Sequence, residues 1–309
     1  MKLKILVNPV CKGAYYLDFL SVAQAEFEAL FPDVCVEQSK CGVLYFLDVD
    51  WPYDELLQLT RLSFVQGVFA QTDSGLICLD VDPQFHLPEG LVVGDKYRGK
   101  TSETITQLGI NIAIRFCTPK KGQKLRLLDP MAGRGTTLLW AARYGIDSVG
   151  VEHNKDVLEH FHRHIKKQCK IHRIKHKVLR GQEGKKQKNG YGAFREVHWP
   201  QSTSKLLVGD SAQVSLKPSF NMIVTDLPYG VQFTGTKKRN PLDVIERCAA
   251  NWVKMLQCGS VVVLIFNALQ PKRKDLIDVF TRHGLQPMGF AGTHRMSESI
   301  KRELLVFQN

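Results

Sequence analysis

The chain has 309 residues, 44% of them hydrophobic, and a formal net charge of +12 at pH 7. This length and hydrophobic content allow a full buried core and favour two domains or one large one. The longest uninterrupted apolar run, 261–266, is too short to cross a bilayer, and the first ten residues lack the apolar stretch of a signal peptide. We therefore expect a globular, cytoplasmic protein that acts without a membrane.

The cysteines and histidines lack the spacing of a disulfide scaffold or a metal site. The eight cysteines contain no Cys-x-x-Cys pair, so reduced and mostly buried thiols are expected. Cys169, His172 and His176 share one face of a predicted helix, but no second cysteine pair completes a tetrahedral set of ligands. We therefore predict that the protein binds no metal.

Most of the positive charge is concentrated in one segment. Residues 163–188 contain eleven Lys and Arg residues and one acidic residue, Glu183, which leaves a net charge of +10 out of the total of +12. Such a segment is either a solvated helix face followed by a loop or a surface that attracts a polyanion. The concentration of the charge favours a nucleic acid as the partner.

The first 95 residues are predicted to form a small α+β domain. Apolar alternation and helical recurrence predict these elements in chain order: strand 2–8, helix 15–31, strand 42–50, helix 52–62, strand 64–71 and strand 75–82. This order is close to β-α-β-β-α-β, a split βαβ layer. A helix at 101–117, with Thr101 or Ser102 as its cap, is predicted to connect this domain to the rest of the chain.

From residue 124 onwards strand and helix patterns alternate, which is typical of a parallel sheet flanked by helices. The segment KLRLLDPMAGRGTTLLWAARYG begins with an apolar strand, which is followed by Asp129 and by Gly133-x-Gly135 at the start of a helix. Glycines at such a turn let a ligand approach the backbone. Glu152 ends the next strand, where a carboxylate can accept hydrogen bonds from ribose hydroxyls. A dinucleotide dehydrogenase shares these glycines and Glu152, but Asp129 favours a nucleoside that carries an amino acid, such as S-adenosylmethionine.

Two later strands also end in carboxylates. LLVGDSAQ at 206–213 places Asp210 where it can reach an adenine amino group, and MIVTDLPYGVQF at 222–233 contains Asp226. The exocyclic amine of a nucleobase is a poor nucleophile because its lone pair is delocalised, so a site must hold it in position. We predict that Asp226 and the Leu227 carbonyl accept its two N–H bonds while Tyr229 stacks on the base.

The chain resembles the class I methyltransferases, and specifically the RNA guanosine-N2 methyltransferases associated with a THUMP domain. The resemblance lies in the order of its motifs: Asp129, Gly133-x-Gly135, Glu152, Gly209-Asp210 and Asp226-Leu227-Pro228-Tyr229-Gly230. Segments 97–114 and 234–265 resemble the connector before the catalytic domain and the segment after the catalytic loop in that family. Residues 1–95 resemble, more weakly, the small ferredoxin-like domain that precedes THUMP.

This resemblance implies a fold, a cofactor and a set of site residues. The fold is an α/β, Rossmann-like class I methyltransferase domain with a mostly parallel sheet at 119–309, preceded by a connector helix at 96–118 and a ferredoxin-like α+β domain at 1–95. The cofactor is S-adenosylmethionine, bound by Thr101, Asp129, Met131, Ala132, Gly133, Gly135, Thr136, Thr137, Glu152, His153, Asp210, Ser211 and Asp226. The catalytic residues are Asp226, Leu227, Pro228 and Tyr229. The substrate is an exocyclic amine of RNA, guanosine N2 in tRNA or another structured RNA being favoured.

The chain departs from the family between Asp82 and Tyr97, where no recognisable THUMP domain fits. We therefore predict that a basic insert at 163–199 takes over the capture of RNA. Its predicted RNA-binding residues are Lys166, Lys167, Lys170 and Arg173. After the catalytic loop, Lys237, Lys238 and Arg239 are either a solvated turn or a clamp for phosphates, and their position favours the clamp.

Alternatives remain at this stage. One is N-methylation of DNA adenine or cytosine, or of a protein amide, because those enzymes use related Pro-Tyr motifs. Another is a catalytically inactive RNA-binding module, against which the intact carboxylates at the strand ends count. A small activating protein and a second copy of the chain are both left open as partners.

Overall fold

The structure is a computed structural model that describes residues 1–8, 16–93, 102–185, 187–227, 241–290, 292–297 and 300–309. The chain divides into two compact units. The amino-terminal unit consists of residues 1–84 and 290–304, and the larger unit consists of residues 85–289 and 305–309. Within the described ranges, no helix has the length and apolar character that crossing a bilayer requires.

The amino-terminal unit is built on an antiparallel sheet. Its elements are β1 (Lys2–Val7), α1 (Tyr16–Leu30), β2 (Val36–Cys41), β3 (Leu44–Asp50), α2 (Leu56–Leu59), β4 (Val65–Thr72) and β5 (Gly75–Cys78). The strand order is β2-β3-β1-β4-β5, and every neighbouring pair is antiparallel. The central strand β1 alternates between exposed and buried residues, so Leu3, Ile5 and Val7 reach a core that also contains Phe19 and Phe27 of α1.

Two features of this unit differ from the sequence-based expectation. Strand β2 was not predicted, because it lies at the edge of the sheet and its sequence VEQSKC is polar and largely exposed. The helix predicted at 52–62 is only a 3₁₀ turn at Tyr53–Glu55 followed by the four residues of α2. Edge strands and short turns leave little apolar periodicity in a sequence.

The remaining elements follow in chain order: α3 (Glu103–Phe116), β6 (Arg126–Asp129), α4 (Thr136–Arg143), β7 (Asp147–Glu152), α5 (Val157–Ile171), β8 (Lys177–Gln182), β9 (Ala193–His198), β10 (Thr203–Val208), β11 (Phe220–Asp226), α6 (Pro241–Lys254), β12 (Leu256–Asn267), α7 (Arg273–Thr281), β13 (Gln286–Pro287), β14 (Gly292–Ser297) and β15 (Ile300–Gln308). The helix predicted at 101–117 is α3. Strands and helices alternate over most of this region, as the sequence pattern predicted.

These strands form a large mixed sheet that is mainly parallel at its centre. The order is β13-β15-β12-β11-β6-β7-β10-β9-β8, with β14 paired to β15. The pairs β12–β11, β11–β6, β6–β7 and β7–β10 are all parallel. From β6 the chain proceeds through β7 to β10 on one side and through β11 to β12 on the other. Such a reversal opens a crevice at the carboxyl ends of the strands, where ligands bind in folds of this class.

The basic segment continues into a β-hairpin. Strands β8 and β9 pair antiparallel, and β9 pairs antiparallel with β10, so the hairpin extends the sheet at the end opposite to β13. Only a helix and a loop were expected here. The hairpin joins the sheet because β9 pairs with β10. The sequence of β8, KVLRGQ, has no alternating apolar pattern that would predict a strand.

Helix α6 anchors the turn that follows β10. Trp252 is fully buried, and its indole Nε1 donates a 2.8 Å hydrogen bond to Ser211 Oγ. The side-chain amide of Asn251 donates to the carbonyl oxygens of Ser211 and Val214, at 3.1 and 2.8 Å. The turn that carries Asp210 is thus held by the hydrophobic core beneath it.

Replacement of Ser211 by alanine tests this anchor. Ser211→Ala removes the acceptor of a buried indole N–H, so the free energy of unfolding should fall by about 1–3 kcal/mol in urea titrations. Ser202→Ala is the matched control, because Ser202 is buried and its Oγ has no hydrogen-bond partner among the described residues. It should change stability by less than about 0.5 kcal/mol. Equal effects of the two substitutions would contradict the anchor.

Candidate active site

Four neighbouring parallel strands each lead to an acidic residue at the same edge of the large sheet. Asp129 ends β6, Glu152 ends β7, Asp226 ends β11, and Asp210 lies two residues beyond β10. Their strands are adjacent in the order β11-β6-β7-β10. Because the carboxyl ends of parallel strands meet at one edge, these four predicted residues form a row along the crevice.

Asp129 is the most deeply buried of the four, with 2% of its surface exposed. Its Oδ1 accepts hydrogen bonds from Thr225 Oγ1 at 2.8 Å and from the backbone N–H of Met131 at 3.1 Å. Burial raises the pKa of this carboxyl to about 6, although hydrogen bonds from Thr137, Thr225 and Met131 act in the opposite direction. The negative charge of Asp226 raises this pKa further, which indicates that the two carboxylates interact.

Glu152 joins the end of β7 to the glycine-rich turn. Its Oε2 accepts a 2.9 Å hydrogen bond from the backbone N–H of Gly133, and its Oε1 accepts one of 3.0 Å from Asn154. The turn is also held by the backbone N–H of Ala132, which donates to Val151 O at 2.9 Å. The carboxylate therefore sets the position of the turn and lies beside it.

The glycine-rich turn leaves room for a ligand. Gly133 has φ +50°, and a Cβ added there would meet no atom within 4 Å, so the space beside it is open. Gly135 has φ +85°, and a Cβ there would lie 2.9 Å from the Phe161 ring. Helix α4 starts next, at Thr136 and Thr137, both of which are buried. An open backbone turn between two carboxylates fits a nucleoside that bears a charged amino-acid group.

Asp210 and its neighbours lie at the end of β10. Asp210 Oδ1 accepts a 2.9 Å hydrogen bond from the backbone N–H of Ala212, which fixes the turn. The Ser211 hydroxyl serves as the acceptor of Trp252, a structural role that the sequence did not reveal. His153 follows Glu152 directly and is exposed at the same edge of the sheet.

Asp226 is half-buried at the end of β11, next to β12 in the sheet. Leu227 follows it with a buried side chain, and its backbone N–H donates to Ile265 O at 2.7 Å. This bond fixes the backbone where the predicted catalytic segment begins. Six predicted site residues lie outside the described residues: Thr101, Pro228, Tyr229, Lys237, Lys238 and Arg239.

The four predicted RNA-binding residues of the insert are exposed. Lys166, Lys167 and Lys170 lie on α5, whose opposite face buries Phe161, Ile165 and Cys169, and Arg173 follows the helix. Lys177 and Arg180 of β8 are exposed as well. In the part of the chain that the structure describes, no group of three or more His, Cys, Asp or Glu side chains could hold a metal ion.

One aromatic residue at this edge was missed by the sequence analysis. Tyr191 lies in the turn between β8 and β9, and its hydroxyl shares a hydrogen bond with His153 Nδ1. Burial and then the charge of Asp210 raise the pKa of Tyr191 above its usual value. The segment Asn189-Gly190-Tyr191-Gly192 could have revealed the turn, because asparagine and glycine are typical turn residues.

Comparison with known protein families identifies a family of methyltransferase domains that this chain matches. The profile of a family described as "RMKL-like, methyltransferase domain" matches residues 112–284, more than half of the chain. The matched residues include all four carboxylates of the row. No curated protein matches the chain in sequence.

Several solved structures are similar to this chain. TrmN from Thermus thermophilus has 14% identity and a TM-score of 0.45, covering 89% of this chain and 60% of its own. A TehB-like SAM-dependent methyltransferase from Corynebacterium glutamicum has 17% identity and a TM-score of 0.39, covering 62% and 81%. A methyltransferase from Pyrococcus furiosus has 14% identity and a TM-score of 0.42, covering 69% and 87%.

The raised pKa of Asp129 predicts a pH-dependent effect on stability. An acid whose pKa is raised by folding, here from 3.8 to about 6, destabilises the folded state once it ionises. Asp129→Asn should therefore increase the free energy of unfolding by up to about 3 kcal/mol at pH 8 and by about half as much at pH 5. Urea titrations at the two pH values measure this difference.

The control for this prediction is Asp129→Ala. Asparagine retains the Oδ1 that accepts from Met131 and Thr225, whereas alanine removes it. The alanine variant should therefore be less stable than the asparagine variant at both pH values. An asparagine variant less stable than the wild-type protein at pH 8 would contradict the assigned pKa shift.

Proposed function

Because the chain belongs to the RMKL-like family of methyltransferase domains, we propose that it methylates an exocyclic amine of RNA, guanosine N2 in tRNA or another structured RNA. The family sets the reaction class, methyl transfer, and S-adenosylmethionine is the methyl donor. The nature of the acceptor is the proposal. The observation that carries it is the row of four carboxylates at the crevice, with the exposed basic insert on the same unit.

The residues of the row fit the parts of the cofactor. Asp129 is a buried carboxylate whose pKa is about 6, so a cationic amino group beside it would stabilise its charged form. Glu152 lies beside the open turn at Gly133, where a carboxylate can accept ribose hydroxyls. Asp210 stands at the next strand end, which suits an adenine amino group. Once bound, S-adenosylmethionine supplies an electrophilic methyl group on a sulfonium.

Asp226 is proposed to hold the acceptor amine. It is half-buried at the crevice and interacts with the charge of Asp129, so it lies close to the cofactor carboxylates. A carboxylate there can accept an N–H of the amine and fix its direction, and the Leu227 carbonyl is proposed to accept the other. Tyr229 is proposed to stack on the base, with Pro228 setting the turn between them. Orientation rather than deprotonation is the main contribution of these groups.

The distribution of charge supports RNA over a protein substrate. Exposed basic residues are concentrated in the insert, with Lys166, Lys167 and Lys170 on α5 and Lys177 and Arg180 on β8. The phosphates of a polyanion can pair with several of these basic residues at once, whereas a protein amide has no negative charge to pair with them. The residues Lys237, Lys238 and Arg239 are proposed to add a phosphate clamp beside the target amine.

The amino-terminal unit is proposed to be a ferredoxin-like layer that precedes the catalytic domain. Its strand order, β2-β3-β1-β4, and its antiparallel pairing support this assignment. We propose the same boundaries as the sequence suggested, 1–95 for this domain, 96–118 for the connector and 119–309 for the methyltransferase domain. The last strands of the chain qualify this division, because residues 290–304 group with the amino-terminal unit.

The proposed reaction is tested at Asp226. Asp226→Ala removes the acceptor of the target amine while the other three carboxylates remain, so turnover should fall by about 10²-fold or more. Transfer of labelled methyl groups to RNA, with nucleoside mass spectrometry to identify the product, measures this loss. Calorimetry should show that S-adenosylhomocysteine still binds with micromolar-order affinity, about −8 kcal/mol.

Asp243→Ala, on the exposed face of α6, is the control and should behave as the wild-type protein. A folded Asp226→Ala variant with full activity would overturn the role of Asp226. Failure of the wild-type protein to bind S-adenosylhomocysteine would overturn the cofactor site itself. Methylation of DNA or protein with no methylation of RNA would replace the proposed acceptor by one of the alternatives.

RNA capture is tested by changing charge on α5. Substitution of Lys166, Lys167, Lys170 and Arg173 by glutamine should weaken RNA binding and reduce the slope of log K against log salt by about 0.7–0.9 per lost contact. Fluorescence anisotropy at several salt concentrations measures this slope. The matched control replaces four exposed lysines elsewhere in the same unit: Lys120, Lys121, Lys217 and Lys272. Equal slopes for the two quadruple variants would assign the binding to net charge alone.

A further inference from the structure

The β8–β9 hairpin brings its turn to the edge of the sheet where the strand-end carboxylates lie. Strand β9 runs antiparallel to β10, with Phe194 opposite Leu207, so the residues before β9 lie beside the end of β10. The backbone N–H of Gly192 donates to Val208 O at 2.8 Å, two residues before Asp210. The turn of the insert is therefore attached to the strand end that leads to Asp210.

The turn holds Tyr191 in one position by several independent bonds. The backbone N–H of Tyr191 donates to Asn189 Oδ1 at 3.1 Å, and its carbonyl accepts from Gln182 Nε2 at 2.8 Å. The glycines on both sides have φ of +83° and +86°, a conformation that other residues rarely adopt. A Cβ at Gly192 would lie 2.1 Å from Glu183 O, so this position requires glycine. So many restraints on one half-buried aromatic residue indicate a specific placement.

The ring of Tyr191 lies between the ends of two neighbouring strands. Its hydroxyl shares a hydrogen bond with His153 Nδ1, and the two ring centroids are 5.5 Å apart at an interplanar angle of 73°. His153 directly follows Glu152 at the end of β7, and the charge of Asp210 at the end of β10 acts on the phenol. The Tyr191 ring therefore lies near Glu152 and Asp210, where the proposed site would hold a nucleoside.

We infer that Tyr191, a residue of the insert, contacts the cofactor. Its ring packs against the adenine of S-adenosylmethionine, and His153 orients the ring. This inference rests on the proposed cofactor site and deepens it. An aromatic ring provides a large contact area for a base at low cost in conformational entropy, and the hydrogen bond to His153 restricts the ring further. The basic insert thus serves the cofactor site as well as the RNA surface.

Calorimetry with S-adenosylhomocysteine tests the contact. Tyr191→Ala should weaken binding by roughly tenfold or more, the range of one lost base–aromatic stack. Tyr191→Phe keeps the ring and should remain within about threefold of the wild-type protein, consistent with the loss of one hydrogen bond. Gln187→Ala, an exposed side chain of the same turn, is the matched control and should bind as the wild-type protein does. Wild-type affinity in Tyr191→Ala would overturn the inference.

Nitration by tetranitromethane gives a second measurement that does not depend on a substitution. Saturating S-adenosylhomocysteine should slow nitration of Tyr191 several-fold, as measured by peptide mass spectrometry, because the bound base covers its ring. Tyr53, which is 72% exposed, is an internal control whose nitration rate should not change. Binding of S-adenosylhomocysteine without protection of Tyr191 would overturn this inference and leave the proposed function intact. Absence of binding to the wild-type protein would overturn both.

Discussion

The hydrogen bond between the Thr225 hydroxyl and the Asp129 carboxylate joins the two strands at which the large sheet reverses its order. The two residues are 96 positions apart in the chain, and both are buried. Buried polar groups require partners, so this hydrogen bond favours the observed register of β6 and β11. The same register aligns the strand ends that form the crevice. One interaction therefore contributes both to the fold and to the alignment of the carboxylates.

The ionised Asp129 carboxylate lowers the stability of the fold. Burial favours the neutral form of its carboxyl, and the nearby charge of Asp226 acts in the same direction. The three donors from Thr137, Thr225 and Met131 counter this effect, which leaves the pKa at about 6 and the group mostly ionised at neutral pH. The donors thus maintain a charge that a cationic ligand can stabilise further. A well-packed apolar residue would avoid this cost in stability but would also remove the charge.

The central strands and their acidic ends were predictable, because an apolar run followed by a carboxylate and glycines leaves a strong local pattern. Asp129, Glu152 and Asp226 lie at strand ends as that pattern predicted, and Asp210 lies just beyond one. Features that depend on distant partners were not predictable. The Ser211 hydroxyl bonds to Trp252, 41 residues away. Strand β2 was missed for another reason: its partner β3 is adjacent in the chain, but its own sequence is polar and largely exposed. Neither feature leaves an apolar period in the sequence.

The β-hairpin of the basic insert was also not predicted from the sequence, and its charged residues have a physical role. The sequence of β8, KVLRGQ, has no alternating apolar pattern. Its exposed Lys177 and Arg180 suit an edge strand, because exposed basic side chains discourage pairing with another sheet. Strand β9 joins β8 to β10 and is partly buried, with Lys205 of β10 placed over the Phe194 ring at 4.1 Å from its centroid. These contacts help to hold the hairpin against β10. The same insert therefore carries exposed positive charge on α5 and β8 and an aromatic residue beside the strand ends.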